Sequence, residues 1–519
     1  MDGKLLTLPI GVQSFNVLRQ NDYLYVDKTA RLLELVRTSG RCFLSRPRRF
    51  GKSLTLSTLD AMFSGKAELF KGLAAEEWVR EQAEHLSPVL RFDMSRMKTA
   101  SAAGLEKTII ETLRRTAGKF KLILSSDTME GMFQDILEGL FEAYGAIVVL
   151  IDEYDKPILD SIGDLNKANA MRETLRSFYT VLKGCDEYLR FVMLTGISKF
   201  SKAGVFSAMN NLKDISMSKR YGDIVGYTQS ELEENFSDWM SDAVTSMSMS
   251  KQELLDKIRA YYDGFCFDGT TRLYNPFSIL NFFSKQEFGN YWYESGSPSF
   301  IVEYMKQHGI KDPEEYSHVT VPTEFIGAHE IESSAPESFL YQSGYLTIEE
   351  KNEDTLVLGY PNYEVKKSIV RMYLDSVYHI GNYITLGGNL WKALGDGDVG
   401  EAVRLFNIAL SGLPYTDFAK QDEHFYRSLF AMMLRGASIT VSGEVQTNLG
   451  QSDAVILLPK RVVVLEFKFS KNGTGIKRLR QQGREQIEAR NYAQAYYGEP
   501  REVTTAVIII DGKKREAVL

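Results

Sequence analysis

The chain has 519 residues, 44% apolar and 25% charged, an ordinary globular composition that excludes disordered, collagen-like and fibrous proteins. The 61 Lys and Arg stand against 68 Asp and Glu, a net charge of −7, so no whole-chain basic excess points to nucleic acid or an anionic membrane, and any basic surface must be local. The three cysteines, Cys42, Cys185 and Cys266, form no Cys-x-x-Cys pair, which argues against a disulfide framework or structural zinc site and fits a reducing cytoplasm.

At about 150 residues per domain the length predicts three to four domains or subdomains. The first twenty residues carry polar groups throughout, and no apolar run nears the ~20 residues of a bilayer span. Neither a signal peptide nor a membrane helix is expected, and the expectation is a soluble cytoplasmic protein. Four short apolar runs, at 41–45, 88–93, 146–152 and 189–195, alternate with long helical-period segments. Connections of that length are too long for hairpins, so the spacing predicts an α/β region over 1–226 with a parallel sheet and ligands at the carboxyl ends of its strands. From 227 to 384 the alternation is lost, and helices near Glu231–Met240 and Lys251–Tyr262, with the polar loop Phe267–Thr271, predict a mostly helical middle region. The glycine-rich stretches Gly387-Gly388-Asn389 and Gly395–Gly400 mark the expected boundary of a last unit, 385–519.

The first strand leads into Ser45-Arg-Pro-Arg-Arg-Phe-Gly-Lys-Ser53 and then the apolar helical run from Leu54. A loop, Gly-Lys-Ser and a helix suit a nucleoside triphosphate. Gly51 lets the backbone approach the phosphates, the helix start offers N–H groups, Lys52 bridges the β- and γ-phosphates, and the Ser53 hydroxyl ligates Mg²⁺. Arg46 stands where the common form of this loop has glycine. The third strand ends in Asp152-Glu153, where Asp152 is suited to hold Mg²⁺ and Glu153 to polarise an attacking water. Thr195 closes the next strand and is suited to sense the γ-phosphate, with Ser198 as a rival. Arg49 in the loop and Leu54 at its exit complete the expected nucleotide-binding set.

Pro9-Ile-Gly-Val, Tyr25-Val-Asp-Lys-Thr29, Arg46–Leu54, Leu150-Ile-Asp-Glu-Tyr-Asp-Lys156, Leu194–Phe200 and Asn275-Pro-Phe-Ser278 together resemble the predicted AAA-ATPase-like family of bacteria. The resemblance covers about residues 5–280. It implies a P-loop ATPase in which the arginine-rich loop is usual, and it directs attention to a C-terminal nuclease-like domain.

Near the end, Asp453 and Glu466 flank a Pro459-Lys460 turn. A hairpin centred there pairs residue i with residue 919 minus i, which sets Asp453 opposite Glu466. The strand period puts Glu466 and Lys468 on one face and turns Phe467 and Phe469 to the core. Two carboxylates and a lysine suit a divalent-metal site for Mg²⁺ or Mn²⁺ and in-line phosphodiester displacement. From 460 to 490 nine Lys or Arg face three acids, a local balance of +6 able to neutralise a phosphate backbone or to form a solvated helix face.

This last unit resembles the PD-(D/E)xK nuclease superfamily, a restriction-endonuclease-like α/β domain. The resemblance implies metal and catalytic roles for Asp453, Glu466 and Lys468, a helix-glutamine role for Gln486, and a metal-binding role for Glu423, with Glu444 an alternative. Two departures are visible: the family often has Tyr-His where this chain has Tyr426-Arg427, and Gly-Arg-x-Asp where it has Gly450-Gln-Ser-Asp453. The six histidines form no metalloprotease-type pair, and Tyr291-Trp-Tyr293 is read as packing between helices.

The expectation is therefore an ATP-binding, ATP-regulated, Mg²⁺-dependent nuclease acting on nucleic acid, with DNA the favoured partner. Analogy with ring-forming ATPases leaves a homo-oligomer open. Two alternatives stand beside it: an ATP-driven signalling switch whose last domain binds without cleaving, and a nucleotide-independent nuclease on a degenerate first domain.

Overall fold

The computed structural model describes residues 6–82, 85–97, 100–199, 211–294, 301, 313–326, 335–413, 422–437, 439, 441–447, 450–498 and 500–519. The chain forms two compact units, Met1–His308 with Glu315–Lys366, and Gly309–Glu314 with Lys367–Leu519. The expected middle region 227–384 is divided between them, since most of it up to residue 366 packs with the first unit and the remainder with the second.

In the first unit the four apolar runs become β1 (Arg41–Ser45), β2 (Val89–Asp93), β3 (Ile147–Asp152) and β4 (Leu189–Gly196). A two-residue β5 (Lys213–Asp214) was not legible, being short, polar and exposed. The sheet runs β2-β3-β4-β1-β5, parallel throughout. All six residues of β3 are buried, as a strand covered on both faces requires. Its crossovers are long amphipathic helices. Helix Ala102–Phe120 buries Leu105, Ile109, Leu113 and Ala117, one residue per turn, and Ser101 caps it by accepting from the Gly104 N–H. β4 lies between β1 and β3, so the loop after β1 meets the acidic end of β3 only across the end of β4.

The expected helix Glu231–Met240 is broken in two, Gln229–Asn235 and Ser237–Met247, because Phe236 is drawn into the core and stacks on Phe283 at 5.1 Å. Helix Lys251–Tyr262 forms as expected, behind a Ser250–Glu253 capping box. The polar loop Phe267–Thr271 joins β6 (Phe265–Cys266) to β7 (Arg272–Leu273). The expectation of a mostly helical region also missed an antiparallel sheet, β8 (Val319–Pro322), β9 (Thr347–Lys351) and β10 (Thr355–Gly359), in the order β8-β10-β9. Its strands are short and carry Glu349, Glu350 and Lys351, which erases the apolar alternation.

In the second unit the Gly387-Gly388-Asn389 stretch is not a boundary but lies inside helix Tyr383–Gly395. A Cβ on Gly387 would meet the Cβ of Ala437 at 2.3 Å, so this glycine permits close packing against the chain end of helix Glu423–Gly436. Five strands follow: β11 (Val441–Thr447), β12 (Gly450–Leu457), β13 (Arg461–Ser470), β14 (Glu502–Asp511) and β15 (Glu516–Val518). They pair in sequence order, antiparallel except for the β13–β14 pair, whose crossover contains helix Ile476–Ala489. Val462 and Val464 of β13 pack with Ile487 of that helix, while Phe467 meets Phe430 edge-on at 5.7 Å. The central strand β13 is therefore buried on both faces, and its charged pair sits in the sheet's interior. Cys42, Cys185 and Cys266 are buried thiols, and among the described residues no helix is long and apolar enough to cross a membrane.

Candidate functional sites

The first site is built on the loop between β1 and helix Lys52–Phe63. The backbone turns through the left-handed region at Arg49 and again at Gly51, where φ is +95° and glycine carries no Cβ penalty. Phe50 anchors the turn, buried edge-on against Phe265 at 4.9 Å and Phe267 at 5.6 Å. The Arg48 carbonyl accepts from the indole N–H of Trp292 at 3.2 Å. Trp292 in turn donates its backbone N–H to Glu364, a fully buried carboxylate that also accepts from the Ser278 hydroxyl. Tyr291-Trp-Tyr293, read as packing, thus supports the loop through its central residue.

Lys52 is buried, and its ammonium donates to the carbonyls of Arg46 and Pro47 at 2.8 and 2.9 Å. Burial pulls its pKa down, against the opposing charges of Glu153, Asp152 and Asp155. Burial likewise raises the Glu153 carboxyl, with Lys52 opposing. Glu153 itself has φ +49°, a strained conformation at the end of β3. Thr195 donates its hydroxyl to Asp152 Oδ1 at 2.7 Å, and the Glu153 N–H donates to the same oxygen at 3.1 Å. Ser198 is tied to a different carboxylate: Asp155 Oδ2 accepts from the Ser198 hydroxyl at 2.6 Å and from the N–H groups of Ile197 and Ser198. Both polar groups at the carboxyl end of β4 are therefore engaged with carboxylates at the carboxyl end of β3. Ser53 and Leu54 lie half-buried in the first helical turn, and Arg49 is exposed with its guanidinium 4.8 Å from the Phe277 ring.

Arg46, the departure from glycine, is 1% exposed. Its guanidinium lies 4.3 Å from the centre of the Phe267 ring and donates through Nη1 to the carbonyls of Ser45 and Ser216, while Nε and Nη2 have no partner among the described residues. Burial pushes its pKa down to about 10. A small cavity of about 70 Å³ adjoins the loop beside Gly51, Leu54 and Thr55, walled by Pro9, Tyr25, Val26 and Tyr227. Sequence reasoning assigned these wall residues no role, although Pro9 and Tyr25-Val26 belong to the motifs that carried the resemblance.

The second site is built on the β12–β13 hairpin. Its ladder pairs Ala454 with Leu465 and Leu457 with Val462, the register expected from a turn at Pro459-Lys460. The carboxylate of Asp453 reaches across to accept the Phe467 N–H through Oδ2 at 2.7 Å. Glu466 is 1% exposed; Oε1 accepts from the Lys468 ammonium at 2.7 Å and Oε2 has no partner among the described residues. Burial, with Asp453 and Glu423 adding repulsion, raises the Glu466 carboxyl to about 7 despite the Lys468 bond. Glu423, on the first turn of its helix, is raised by burial, with Lys468 opposing and Asp453 reinforcing. Asp453, Glu466, Lys468 and Glu423 therefore share one electrostatic environment. Gln486 stands apart in its contacts, its amide nitrogen donating to the Tyr492 hydroxyl at 3.2 Å. Glu444 is on β11, and its side chain lies outside the described residues.

Sequence reasoning recorded Arg427 only as a departure from pattern. Its Nη1 donates to Asp453 Oδ1 at 2.7 Å, and Nη2 lies 3.0 Å from His424 Nδ1. The hard oxygen donors and the orphaned Oε2 of Glu466 suit a divalent cation, but Asp453 is held by Arg427 and the Phe467 N–H. Among the described residues no group of three or more His, Cys, Asp and Glu is arranged to hold a metal ion. On the nearby helix, Lys477, Arg478 and Arg484 are exposed while Ile487 faces the sheet.

A raised Glu466 pKa has a definite sign. The folded chain holds this proton between pH ~4.5 and ~7 while the unfolded chain releases it, so stability falls as pH rises through that window. Glu466→Gln is expected to raise the melting temperature at pH 8 by about 3–6 °C and to change it little at pH 4, read by circular dichroism. Equal shifts at both pH values would sink the assignment.

Comparisons with known proteins match both regions of the chain. The family described as predicted AAA-ATPase matches residues 9–206, and the PD-(D/E)XK nuclease superfamily matches residues 421–518. An uncharacterised protein of the vnfD 5′ region of Azotobacter chroococcum is 34% identical over 493 residues, covering 92% of each chain. Among solved structures, Aeropyrum pernix Orc1 in complex with DNA is 10% identical over 66% of this chain and 91% of that one, with a TM-score of 0.24. Pyrobaculum aerophilum Cdc6p is 11% identical over the same shares, with a TM-score of 0.21. At those scores neither structure bears on the reading.

Proposed function

This chain belongs to the predicted AAA-ATPases and ends in a PD-(D/E)XK nuclease superfamily domain, and from that premise we propose that it is an ATP-binding, ATP-regulated, Mg²⁺-dependent nuclease acting on nucleic acid, DNA foremost. The observation that carries the nuclease reading is the convergence of Asp453, Glu466 and Lys468 on paired strands, with a buried, unpartnered Glu466 oxygen.

In the first unit the triphosphate occupies the loop. Lys52 exchanges its bonds to the Arg46 and Pro47 carbonyls for phosphate oxygens, and the N–H groups at Gly51, Lys52, Ser53 and Leu54 face the same anion. The cavity beside Leu54 and Thr55 receives the base. Ser53 and Asp152 would hold Mg²⁺, with Thr195 fixing Asp152 rather than reading the γ-phosphate itself. Glu153, raised by burial, takes the role of base for the attacking water.

In the second unit Asp453 and Glu466, with Glu423, would hold Mg²⁺ or Mn²⁺. The ion supplies a water activated near neutral pH and a counter-charge for the developing phosphorane. Lys468, fixed by Glu466, orients that water and offsets negative charge on the phosphodiester. The exposed Lys477, Arg478 and Arg484 contact the phosphate backbone, and Gln486 acts from the same helix. A second reading, a nucleotide-controlled domain that grips nucleic acid without cutting it, is favoured by the Arg427–Asp453 pair.

The test is incubation of the full chain with supercoiled plasmid and Mg²⁺ or Mn²⁺, with and without ATP. Nicking and linearisation that change with ATP are expected. DNA binding that persists in EDTA, with no cleavage under any condition, would replace this reading with the second.

A further inference from the structure

The carboxylate of Asp453 has a protein donor on each oxygen. Arg427 Nη1 holds Oδ1 at 2.7 Å and the Phe467 N–H holds Oδ2 at 2.7 Å. Both side chains of the ion pair are largely buried, 18% exposed for Arg427 and 13% for Asp453, so this is no loose surface contact. Lys468 takes one oxygen of Glu466, and among the described residues the other oxygen of Glu466 has no donor. Three carboxylates, Asp453, Glu466 and Glu423, are thus faced by two protein cations, Arg427 and Lys468. A divalent ion entering here must compete with a guanidinium for Asp453. The guanidinium is carried by helix Glu423–Gly436, and releasing Asp453 requires an anion that competes for it. A phosphodiester is such an anion, because its paired oxygens match the planar donor fork of arginine.

Resting on the nuclease reading above, we infer that Arg427 is a displaceable counter-ion which closes the second site to divalent metal until a nucleic-acid phosphate draws it off Asp453. The phosphodiester backbone is the ligand that opens the site. Because one guanidinium serves either Asp453 or the phosphate, metal and nucleic acid bind with positive coupling, and by linkage each strengthens the other equally. Arg427 is a positioning residue in this scheme: it sets when Asp453 becomes available and performs no step on the scissile bond.

Binding of Mn²⁺ to the full chain, measured by isothermal titration calorimetry, tests the inference without any turnover. Arg427→Met is expected to bind Mn²⁺ about tenfold or more tightly than the unsubstituted chain. A phosphorothioate DNA duplex that resists cleavage should tighten Mn²⁺ binding about tenfold in the unsubstituted chain and leave Arg427→Met unchanged. Arg427→Lys keeps a cation and should keep weak Mn²⁺ binding; it, with Arg427→Gln, carries the comparison if the methionine variant does not fold. Equal Mn²⁺ affinity with and without the guanidinium would overturn the inference, and if Asp453→Asn still abolished binding the metal site itself would stand. No Mn²⁺ binding in any of these chains, with or without DNA, would overturn both.

Discussion

Lys468→Ala is expected to remove phosphodiester cleavage, lowering its rate by about a thousandfold or more while leaving the chain folded and its ATP affinity unchanged. Burial acts to lower the pKa of this ammonium, but the Glu466 hydrogen bond and charge, with Glu423 and Asp453, outweigh it and raise the pKa. Lys468 is therefore a cation at any pH the enzyme meets. Its loss acts twice: the proposed phosphodiester site loses a cation, and Glu466 loses the donor that keeps its carboxyl from rising further. Glu466 would then hold its proton at neutral pH and be a poor ligand for any cation. Lys468→Arg should not restore the rate, because the longer, planar guanidinium spreads its charge over a fork and cannot present a compact ammonium at the same point. Plasmid nicking at several Mg²⁺ concentrations is the measurement. Cleavage that survives in the alanine variant would remove Lys468 from the chemistry.

Lys52→Ala is expected to weaken ATP binding about a hundredfold or more and to abolish any response of the second unit to ATP. The buried ammonium holds two loop carbonyls in the absence of ligand, so it fixes the loop before the triphosphate arrives. Removing it costs the phosphate contact and leaves the Arg46 and Pro47 carbonyls unbonded by a side chain. Calorimetric titration with ATP, beside circular dichroism to establish folding, checks the result. An unchanged dissociation constant would place the nucleotide elsewhere, or nowhere, in this chain.

Much of this arrangement was legible before any coordinates. Runs such as Ile147–Ile151 are short, apolar and largely β-branched, which favours a buried strand, and their spacing implied a parallel sheet. The Pro459-Lys460 turn fixed the hairpin register by counting alone, since a two-residue turn leaves no freedom in the pairing. What stayed hidden depends on partners brought together by tertiary structure. Nothing near Arg427 in the chain announces Asp453, 26 residues on and on another element. Arg46 looked like a defect in a phosphate loop because its true neighbours, Ser216 and Phe267, lie 170 or more residues away. Gly387 read as a linker because glycine signals flexibility in a loop and close packing in a helix with the same letter.

The indole of Trp292 on the Arg48 carbonyl has a consequence for how the first unit is assembled. The loop's supports lie more than two hundred positions further along the chain: Trp292 on Arg48, and behind it Glu364, which receives Trp292 and Ser278. The sheet over residues 1–226 pairs without those distant segments, whereas the loop is braced both locally by Lys52 and from far along the chain by Trp292. A fragment cut after residue 226 would keep the sheet and lose the clamp. The smallest piece worth expressing for ATP work therefore runs to Lys366, where the first compact unit ends.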